Sequence, residues 1–387
     1  MSKGRVALLG GGASVLAKGI GFIAQLVALA LISQRYSLES LGLFSVLTSF
    51  LLIYDFFDFG LMSGGMRYSM ATEFSREPFI AAFSLSCRIY GILLLALPFV
   101  PGTWRIALGL ILLRAPFLAV RHALCAEQKV YVRAFLEGLE NLLAAGVVFF
   151  VRGPFWVLVT GYFGMLLLFS VGSFFLFLKK RGWRLEFFSV KEGLFYLRPL
   201  LRLSLFSWGQ GIFLLLIIGS QPLLLSYCCS LEEVGRVAII YKLFAMLFGV
   251  HYALLNPFLS MFTQASHRGE RAWMAKVTRR FKWGFIPLFL GAVSALYLVY
   301  PVERSLFFAL TLFAFSYMWG ALFSVFLNGV ARVERQVAFL GVAVAIHFLL
   351  SPYLAGIWGA AGFFLGEAVA LLPFAFSNQR EITRCVC

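Results

Sequence analysis

Charged residues are scarce in this sequence: they make up 13% of its 387 residues, whereas hydrophobic residues make up 61%. This composition excludes an ordinary soluble domain, in which about a quarter of the residues are charged. Apolar runs recur along the chain, and each is about 20 residues long, the length at which a helix crosses the hydrocarbon core of a membrane. The alternation of apolar and polar residues that is typical of barrel strands is absent. The sequence therefore predicts an all-α polytopic membrane protein.

Motifs for catalysis and for tightly bound groups are also lacking. The sequence has no Walker A motif, which argues against direct ATP hydrolysis, and its loops are too short for a soluble catalytic domain. Its six cysteines and four histidines show neither the spacing of a metal site nor that of a disulfide framework. We expect no enzyme activity, no cofactor and no metal.

About twelve transmembrane helices are predicted, six in each half of the chain. The first six lie near 6–33, 41–66, 79–100, 104–126, 134–151 and 155–178, and the second six near 203–229, 235–264, 277–300, 305–328, 335–351 and 355–376. We predict an N-terminal lobe over 1–178 and a C-terminal lobe over 203–387. The polar segment 179–202 is predicted to be a cytoplasmic linker, and its aromatic residues suggest a helix at the membrane interface.

A short loop occurs twice, half a chain apart. Residues 37–42 (SLESLG) are echoed by residues 230–235 (SLEEVG) 193 positions later, and residues 127–130 are echoed by 334–337 at an offset of 207. Two homologous halves are typical of membrane transporters. Because each half has an even number of helices, both halves enter the membrane in the same direction. We predict two parallel six-helix repeats around a central cavity.

The net charge of +16 is distributed unevenly along the chain. Of the 33 lysines and arginines, 24 fall on one side of the predicted membrane and five on the other. Cytoplasmic loops are enriched in lysine and arginine, so this distribution predicts that both termini are cytoplasmic. The positive charge is then a topology signal, and we expect no nucleic-acid partner.

The N-terminal quarter resembles a known family. Residues 36–44 read YSLESLGLF after the first long helix, residues 55–61 read DFFDFGL, and Arg67 follows six residues later. These segments resemble the N-terminal signature of the O-antigen-type flippases. Those proteins are polysaccharide exporters in the superfamily that also contains the multidrug and toxin extrusion proteins.

The resemblance implies a function and a location. Such flippases have two six-helix lobes facing a central cavity, and they move isoprenoid-diphosphate-linked oligosaccharide from the cytoplasmic to the outer leaflet. The implied location is the cytoplasmic (inner) membrane of a bacterium. The implied partners are the lipid-linked oligosaccharide, membrane lipid and proteins of polysaccharide polymerisation or assembly. Two alternatives are a multidrug cation antiporter of the same superfamily and a membrane protein of polysaccharide assembly that does not itself transport.

Lys18 is the first candidate site residue. It lies near the middle of the first predicted helix, where an unpaired ammonium group costs about 2.5–3.5 kcal/mol. Helical spacing places it on one face with Gly21 and Gln25. A small, polar face suits a water-filled cavity, where Lys18 and Gln25 could bind a substrate diphosphate or acidic sugar. The other interpretation is a lysine that pairs with a carboxylate for packing alone.

Charged residues of the fourth and fifth predicted helices form a second candidate group. Arg114 lies in the fourth helix, and Glu137 and Glu140 lie on one face of the fifth. We favour a structural ion pair between Arg114 and Glu140 over a substrate contact.

Asp55, Asp58, Arg67 and Arg88 form a third group, near the ends of the second and third predicted helices. Asp55 or Asp58 could neutralise Lys18 or bind a proton during coupling, although a structural role is favoured. Arg67 and Arg88 either extend to lipid headgroups or line the inner mouth of a cavity.

The second half of the chain carries fewer charged residues within its helices. Lys242 and His251, both in the eighth predicted helix, are candidates for cavity groups or for packed side chains. His347 and Glu367 lie singly in the last two predicted helices. We interpret these two residues as contacts between helices rather than as ligands.

Overall fold

The computed structural model describes residues 3–57, 76–126, 129–299, 303–330 and 334–386. Helices are the only regular elements in these ranges. They are α1 (Lys3–Arg35), α2 (Leu38–Phe57), α3 (Arg76–Leu94), α4 (Gly102–Arg114), α5 (Ala119–Ala126), α6 (Val130–Phe150), α7 (Phe155–Arg181), α8 (Val190–Leu214), α9 (Gln221–Cys228), α10 (Leu231–His267), α11 (Arg271–Val299), α12 (Arg304–Gly329) and α13 (Glu334–Val386). Short 3₁₀ segments cover Leu97–Phe99 and Ala115–Leu118, and a π-helical segment covers Leu215–Gly219.

Most of these helices have the length and composition to cross a membrane. Eight segments in the described ranges qualify on their own, and the α8–α9 pair, bent by 44°, gives a ninth. The 53-residue α13 is broken at Trp358 and Gly359, and at about 1.5 Å per residue it is long enough for two spans. Within the described ranges, the 20-residue α2 and the 21-residue α6 are also largely apolar, so the helices agree with about twelve spans. The predicted class, an all-α polytopic protein with about twelve transmembrane helices, is confirmed.

The predicted linker 179–202 contains the end of α7, a short connection and the start of α8. Helix α7 ends at Arg181, where Gly182 adopts a left-handed conformation with φ of 65°. Helix α8 begins at Val190 and continues past the predicted limit of 202. A reciprocal cap between Ser189 and Glu192 fixes this start, and the hydrogen bonds from Ser189 lower the pKa of the Glu192 carboxyl. The predicted lobe and linker boundaries stay predictions.

The chain forms two compact units, Leu16–Leu215 and a second that combines Leu216–Cys387 with Met1–Val15. The Leu16–Leu215 unit has an aromatic core between α3 and α7. Phe83 stacks on Phe174 with ring centroids 4.4 Å apart, and Phe79 lies 6.1 Å from the same ring. Lipid tails are as apolar as these side chains, so close packing rather than the exclusion of water stabilises such helix contacts.

The other unit is organised around α12. This helix is buried along most of its length and packs against α10 and α13. Phe326 stacks on Phe262 of α10 with ring centroids 4.3 Å apart. Gly320 permits the approach of α13, because a Cβ atom there would lie 2.6 Å from the ring of Phe374. Small residues at helix interfaces have this role in membranes.

The residues that lead into the first of the two echoed loops contact the end of α6. Arg35 donates hydrogen bonds from Nη1 to the Val148 carbonyl (2.6 Å) and from Nη2 to the Phe149 carbonyl (3.0 Å). The Tyr36 hydroxyl donates to the carbonyl of Gly153 (2.7 Å), in the loop after α6. These bonds satisfy carbonyls that a helix C-terminus leaves without partners.

The second echoed loop contacts the corresponding part of the other half, but here the loop side chain accepts the hydrogen bond instead of donating it. Glu233 Oε1 accepts a hydrogen bond from the backbone N–H of Ala360 (3.0 Å), just after the break in α13. Gly359 precedes it with a φ of 58°, and a Cβ atom there would lie 2.8 Å from the Glu233 carboxylate. Gly153 and Ala360 are 207 residues apart, the offset of the second sequence echo.

Candidate functional site

The Leu16–Leu215 unit contains a buried ion-pair network between α4, α6 and α7. Helix α4 ends at Arg114 because Pro116, two residues later, has no N–H to continue the α-helical hydrogen bonds. Arg114 and Glu140 are 5% and 2% exposed, and Arg114 Nη2 donates to Glu140 Oε1 at 2.8 Å. Arg114 Nε and Glu140 Oε1 both hydrogen-bond the Ser170 hydroxyl, at 3.0 and 2.9 Å. The structure thus brings the predicted pair Arg114 and Glu140 together.

Two further arginines extend this network along α6. Arg121 forms an ion pair with Glu140 and lies 3.9 Å from Glu137. Arg133 Nε donates to Glu137 Oε1 at 2.7 Å, one helical turn away. The arginines of this network are candidates both for contact with an anionic substrate and for a structural role in the unit.

Helix α1 packs closely against the same face of α6. Gln25 Nε2 donates to the Asn141 side chain at 2.8 Å, while Gln25 Oε1 is buried and has no partner among the described residues. A Cβ atom on Gly138 would lie 2.5 Å from the Ala17 carbonyl oxygen, so the two backbones can meet only at a glycine. The predicted polar face of α1 therefore contacts α6 through Gln25 and Gly21.

Several predicted site residues lie outside the described part of the structure. Asp58 and Arg67 fall in the range 58–75, and the side chains of Lys18 and Asp55 are likewise outside the description. Their predicted roles stay predictions.

Arg88 contacts the segment that leads from α7 to α8. Its Nη2 donates to the Phe188 carbonyl at 2.5 Å, and the Phe188 N–H donates to the Ser84 hydroxyl at 3.2 Å. Arg88 Nη1 is buried and lacks a partner among the described residues. This arginine therefore positions the segment after α7, and one of its donors remains available.

The predicted residues of α10 differ in their surroundings. The His251 Nε2 atom lies 3.0 Å from the Met318 carbonyl, and the ring packs edge-on against Phe285. His251 is thus part of the packing between α10 and α12. Lys242 is half-buried and makes no hydrogen bond or ion pair with a described residue.

A polar cluster in the second unit was interpreted from the sequence only as contacts between helices. Gln221 Nε2 donates to Glu367 Oε2 at 2.6 Å, and the Glu367 Oε1 atom lies 3.7 Å from His347 Nδ1. The Ser351 hydroxyl lies 2.9 Å from the same ring nitrogen. The sequence indicated that these two residues need partners on other helices, because neither His347 nor Glu367 has an oppositely charged residue within a helical turn.

Solved structures with a similar fold span nearly the whole chain. The MATE multidrug transporter DinF-BH, solved in complex with a bound ligand, has a TM-score of 0.72 at 14% identity over 98% of this chain and 95% of its own. The chain has the fold of the MATE transporters. An inward-facing multidrug resistance MATE transporter of the MOP superfamily has a TM-score of 0.62 at 15% identity over 94% of this chain and 95% of its own.

A third structure with the MATE-like fold is a MOP superfamily transporter from Pyrococcus furiosus, for which a reversed polarity of the binding pocket suggests a different function. Its TM-score is 0.54 at 14% identity, over 97% of this chain and 95% of its own. No family model and no curated protein sequence matches the chain. At these identities the likeness concerns the fold, so the function has to be argued from the chemistry of this chain.

Proposed function

We propose that this protein is a secondary membrane transporter that exports organic solutes of the multidrug type by alternating access. The observation that carries the proposal is the likeness, over 98% of the chain, to a MATE multidrug transporter. The absence of a Walker A motif from the sequence agrees with transport driven by an ion gradient or a membrane potential. Both units contain buried charged groups inside membrane helices. A charge in that position costs free energy and usually marks a functional site.

A second candidate is the flipping of lipid-linked oligosaccharide, as the segments at 36–44 and 55–61 suggest. The observation that favours it is the presence of two arginines, Arg114 and Arg121, on one buried carboxylate inside the membrane helices, since an isoprenoid diphosphate is an anion that arginine binds well. The MOP superfamily transporter with a reversed pocket polarity is a precedent for a different function on this fold. In this candidate the basic and polar groups bind the substrate, namely Lys18, Gln25, Arg67, Arg88, Arg114, Lys242 and His251.

The second candidate also gives the carboxylates a role and the protein a location. Asp55, Asp58, Glu137 and Glu140 would then act in coupling or in ion pairs. The protein would reside in a bacterial inner membrane with both termini in the cytoplasm, next to proteins of polysaccharide polymerisation or assembly. The lysine and arginine distribution supports this orientation.

Reconstitution of the purified protein in liposomes tests both candidates in parallel. One arm measures accumulation of a cationic rhodamine dye under an imposed pH gradient, sodium gradient or membrane potential. The other arm measures how much fluorescent isoprenoid-diphosphate oligosaccharide reaches the opposite leaflet, detected with a membrane-impermeant quencher. Protein-free liposomes are the control for both arms.

The outcomes separate the candidates. Gradient-dependent accumulation of the rhodamine dye supports multidrug-type export. Movement of the oligosaccharide lipid without dye transport favours the second candidate, and there Lys18→Ala should reduce flipping whereas the exposed Lys180→Ala should not. If well-folded protein moves neither compound under any gradient, the transport proposal is contradicted.

A further inference from the structure

The connection between α7 and α8 is fixed against the first turns of α3. Arg76 Nη2 donates to the Arg184 carbonyl at 2.9 Å and forms an ion pair with Glu186 Oε1 at 2.7 Å. The backbone of Phe188 is hydrogen-bonded to two further side chains of α3. The connection is therefore an ordered part of the protein surface. We call residues 179–196, which include the last turn of α7 and the first turns of α8, the basic–aromatic segment.

Positive charge predominates in the basic–aromatic segment. The sequence has five lysines and arginines between residues 179 and 196, against two glutamates. Both glutamates already have partners, since Glu186 pairs with Arg76 and Glu192 forms the cap with Ser189. The side chains of all five basic residues are exposed: Lys179, Lys180, Arg181, Arg184 and Lys191.

Two of these cations, Arg184 and Lys191, lie on either side of the end of the connection. Neither forms an ion pair with a residue that the structure describes. Arg88 of α3 donates to a carbonyl in the connection, and no described carboxylate lies within ion-pair distance of it. Arginine and lysine donors of this kind bind phosphate oxygens through charge-assisted hydrogen bonds. The segment thus presents a surface that is complementary to an anion.

Large aromatic side chains are exposed among the same cations. Phe187 is 62% exposed and Phe195 is 74% exposed. The other side of α8 is buried against α3, because a Cβ atom on Gly193 would lie 3.1 Å from the side chain of Leu85. A helix that exposes phenylalanine beside lysine and arginine is typical of segments at the boundary between lipid headgroups and acyl chains. The ligand that covers this surface must therefore offer both negative charge and an apolar chain.

From this combination we propose that the basic–aromatic segment binds an anionic phospholipid. The headgroup phosphate accepts hydrogen bonds from Arg184 and Lys191, and an acyl chain packs against Phe187 and Phe195. A soluble anion would leave both aromatic rings exposed, whereas a lipid covers the whole surface. The lysine and arginine distribution predicts that the lipid comes from the cytoplasmic leaflet, whose negative surface attracts basic segments. Lipid binding does not rest on the proposed transport function.

Native mass spectrometry of the full-length protein in detergent micelles tests the proposal. The probes are phosphatidylglycerol, which is anionic, and phosphatidylcholine, which is zwitterionic, with the same acyl chains, and each is titrated against the protein. We expect half-saturation with phosphatidylglycerol at a concentration at least tenfold lower than with phosphatidylcholine. A higher ammonium acetate concentration should weaken the binding of phosphatidylglycerol, because salt screens exposed charges.

A double variant locates the headgroup contact. Arg184→Gln/Lys191→Gln removes the two proposed phosphate donors from exposed positions. Each basic residue near an anionic surface strengthens binding by about fivefold, so the half-saturation concentration should rise at least tenfold. The matched control Arg279→Gln/Lys276→Gln removes one exposed arginine and one exposed lysine from α11, and it should bind phosphatidylglycerol like the wild-type protein.

A second variant and a soluble competitor distinguish a lipid from a free phosphate. Phe187→Ser/Phe195→Ser keeps every charge of the segment but removes the proposed acyl-chain contact, so it should weaken phosphatidylglycerol binding several-fold. Glycerol phosphate, which carries the phosphate without acyl chains, should not displace the lipid at a hundredfold excess. Displacement would indicate a site for a soluble phosphate and would overturn the assignment to a lipid.

Three further results would also overturn the proposal. They are equal binding of the two lipids by the wild-type protein, wild-type binding by Arg184→Gln/Lys191→Gln, and an equally large loss in the α11 control, which would indicate a general effect of net charge. The comparison of the two lipids needs no variant, so it remains decisive even if a variant fails to fold. Melting temperatures in detergent establish that each variant is folded.

Discussion

Replacing Glu140 by glutamine should strongly destabilise the Leu16–Leu215 unit. Glu140 is 2% exposed and accepts hydrogen bonds from Arg114, Arg121 and Ser170. Glutamine keeps the side-chain volume but removes the negative charge, so Arg114 loses the carboxylate that it pairs with in the membrane interior and Arg121 loses one of its ion-pair partners. Removing one partner of a buried pair costs about 3–5 kcal/mol, and we expect the free energy of unfolding to fall by that amount.

An exposed pair in the same protein provides the control for this estimate. Glu232 and Arg236 form an ion pair one helical turn apart, with side chains 54% and 67% exposed. Exposed pairs of this type contribute about 0.3–0.5 kcal/mol, so Glu232→Gln should cost roughly a tenth of what Glu140→Gln costs. Both free energies can be measured by equilibrium unfolding in mixed detergent and SDS micelles, followed by tryptophan fluorescence.

A double-mutant cycle adds a stricter criterion. Arg114→Met removes the main partner of Glu140, so the double variant Arg114→Met/Glu140→Gln should cost less than the sum of the single variants, with a coupling of about 0.5–3 kcal/mol. The reasoning fails if Glu140→Gln unfolds at the same SDS fraction as Glu232→Gln, or if the cycle shows no coupling.

Two further predictions concern glycines, and thermal unfolding in detergent micelles checks both. Gly138→Ala places a methyl group 2.5 Å from the Ala17 carbonyl oxygen and should cost about 1–3 kcal/mol, whereas Gly146→Ala, on the same helix in open space, should be neutral or stabilising. Gly359→Ala requires alanine at a φ of 58° and should cost about 1–2 kcal/mol, whereas the unobstructed Gly356→Ala should leave the melting temperature unchanged. Equal melting temperatures within either pair would contradict the corresponding contact.

The number of helices could be predicted from the sequence because hydrocarbon thickness fixes the length of an apolar span. The positions at which these helices are interrupted could not be predicted. The π-helical segment Leu215–Gly219 and the break at Gly359 result from packing and from one backbone conformation, and neither changes the apolar pattern. The early start of α8 depends on the cap between Ser189 and Glu192, which lies in a polar stretch that hydropathy alone does not resolve.

The candidate sites were predictable to different extents for an electrostatic reason. Arg114 and Glu140 have opposite charges in neighbouring helices, and they pair because an unpaired charge inside a membrane costs free energy. Glu367 and Gln221 are 146 residues apart, and they meet through a hydrogen bond without charge complementarity. No pattern in the sequence indicates which amide a lone carboxyl will contact, so the pairing of Glu367 with Gln221 emerged only from the structure.

The two echoed loops have a consequence for exchanging parts between the halves. Arg35 and Tyr36 present donors to carbonyl oxygens, whereas Glu233 presents an acceptor to the N–H of Ala360. A chimaera that placed residues 228–235 at positions 35–42 would put two cysteines where Arg35 and Tyr36 stand, so the carbonyls at the end of α6 and in the following loop would lose these donors. The reverse exchange would put Ser40 in the place of Glu233 and remove the acceptor of the Ala360 N–H. The two loops resemble each other in sequence but make different hydrogen bonds, so exchanging them should destabilise both halves.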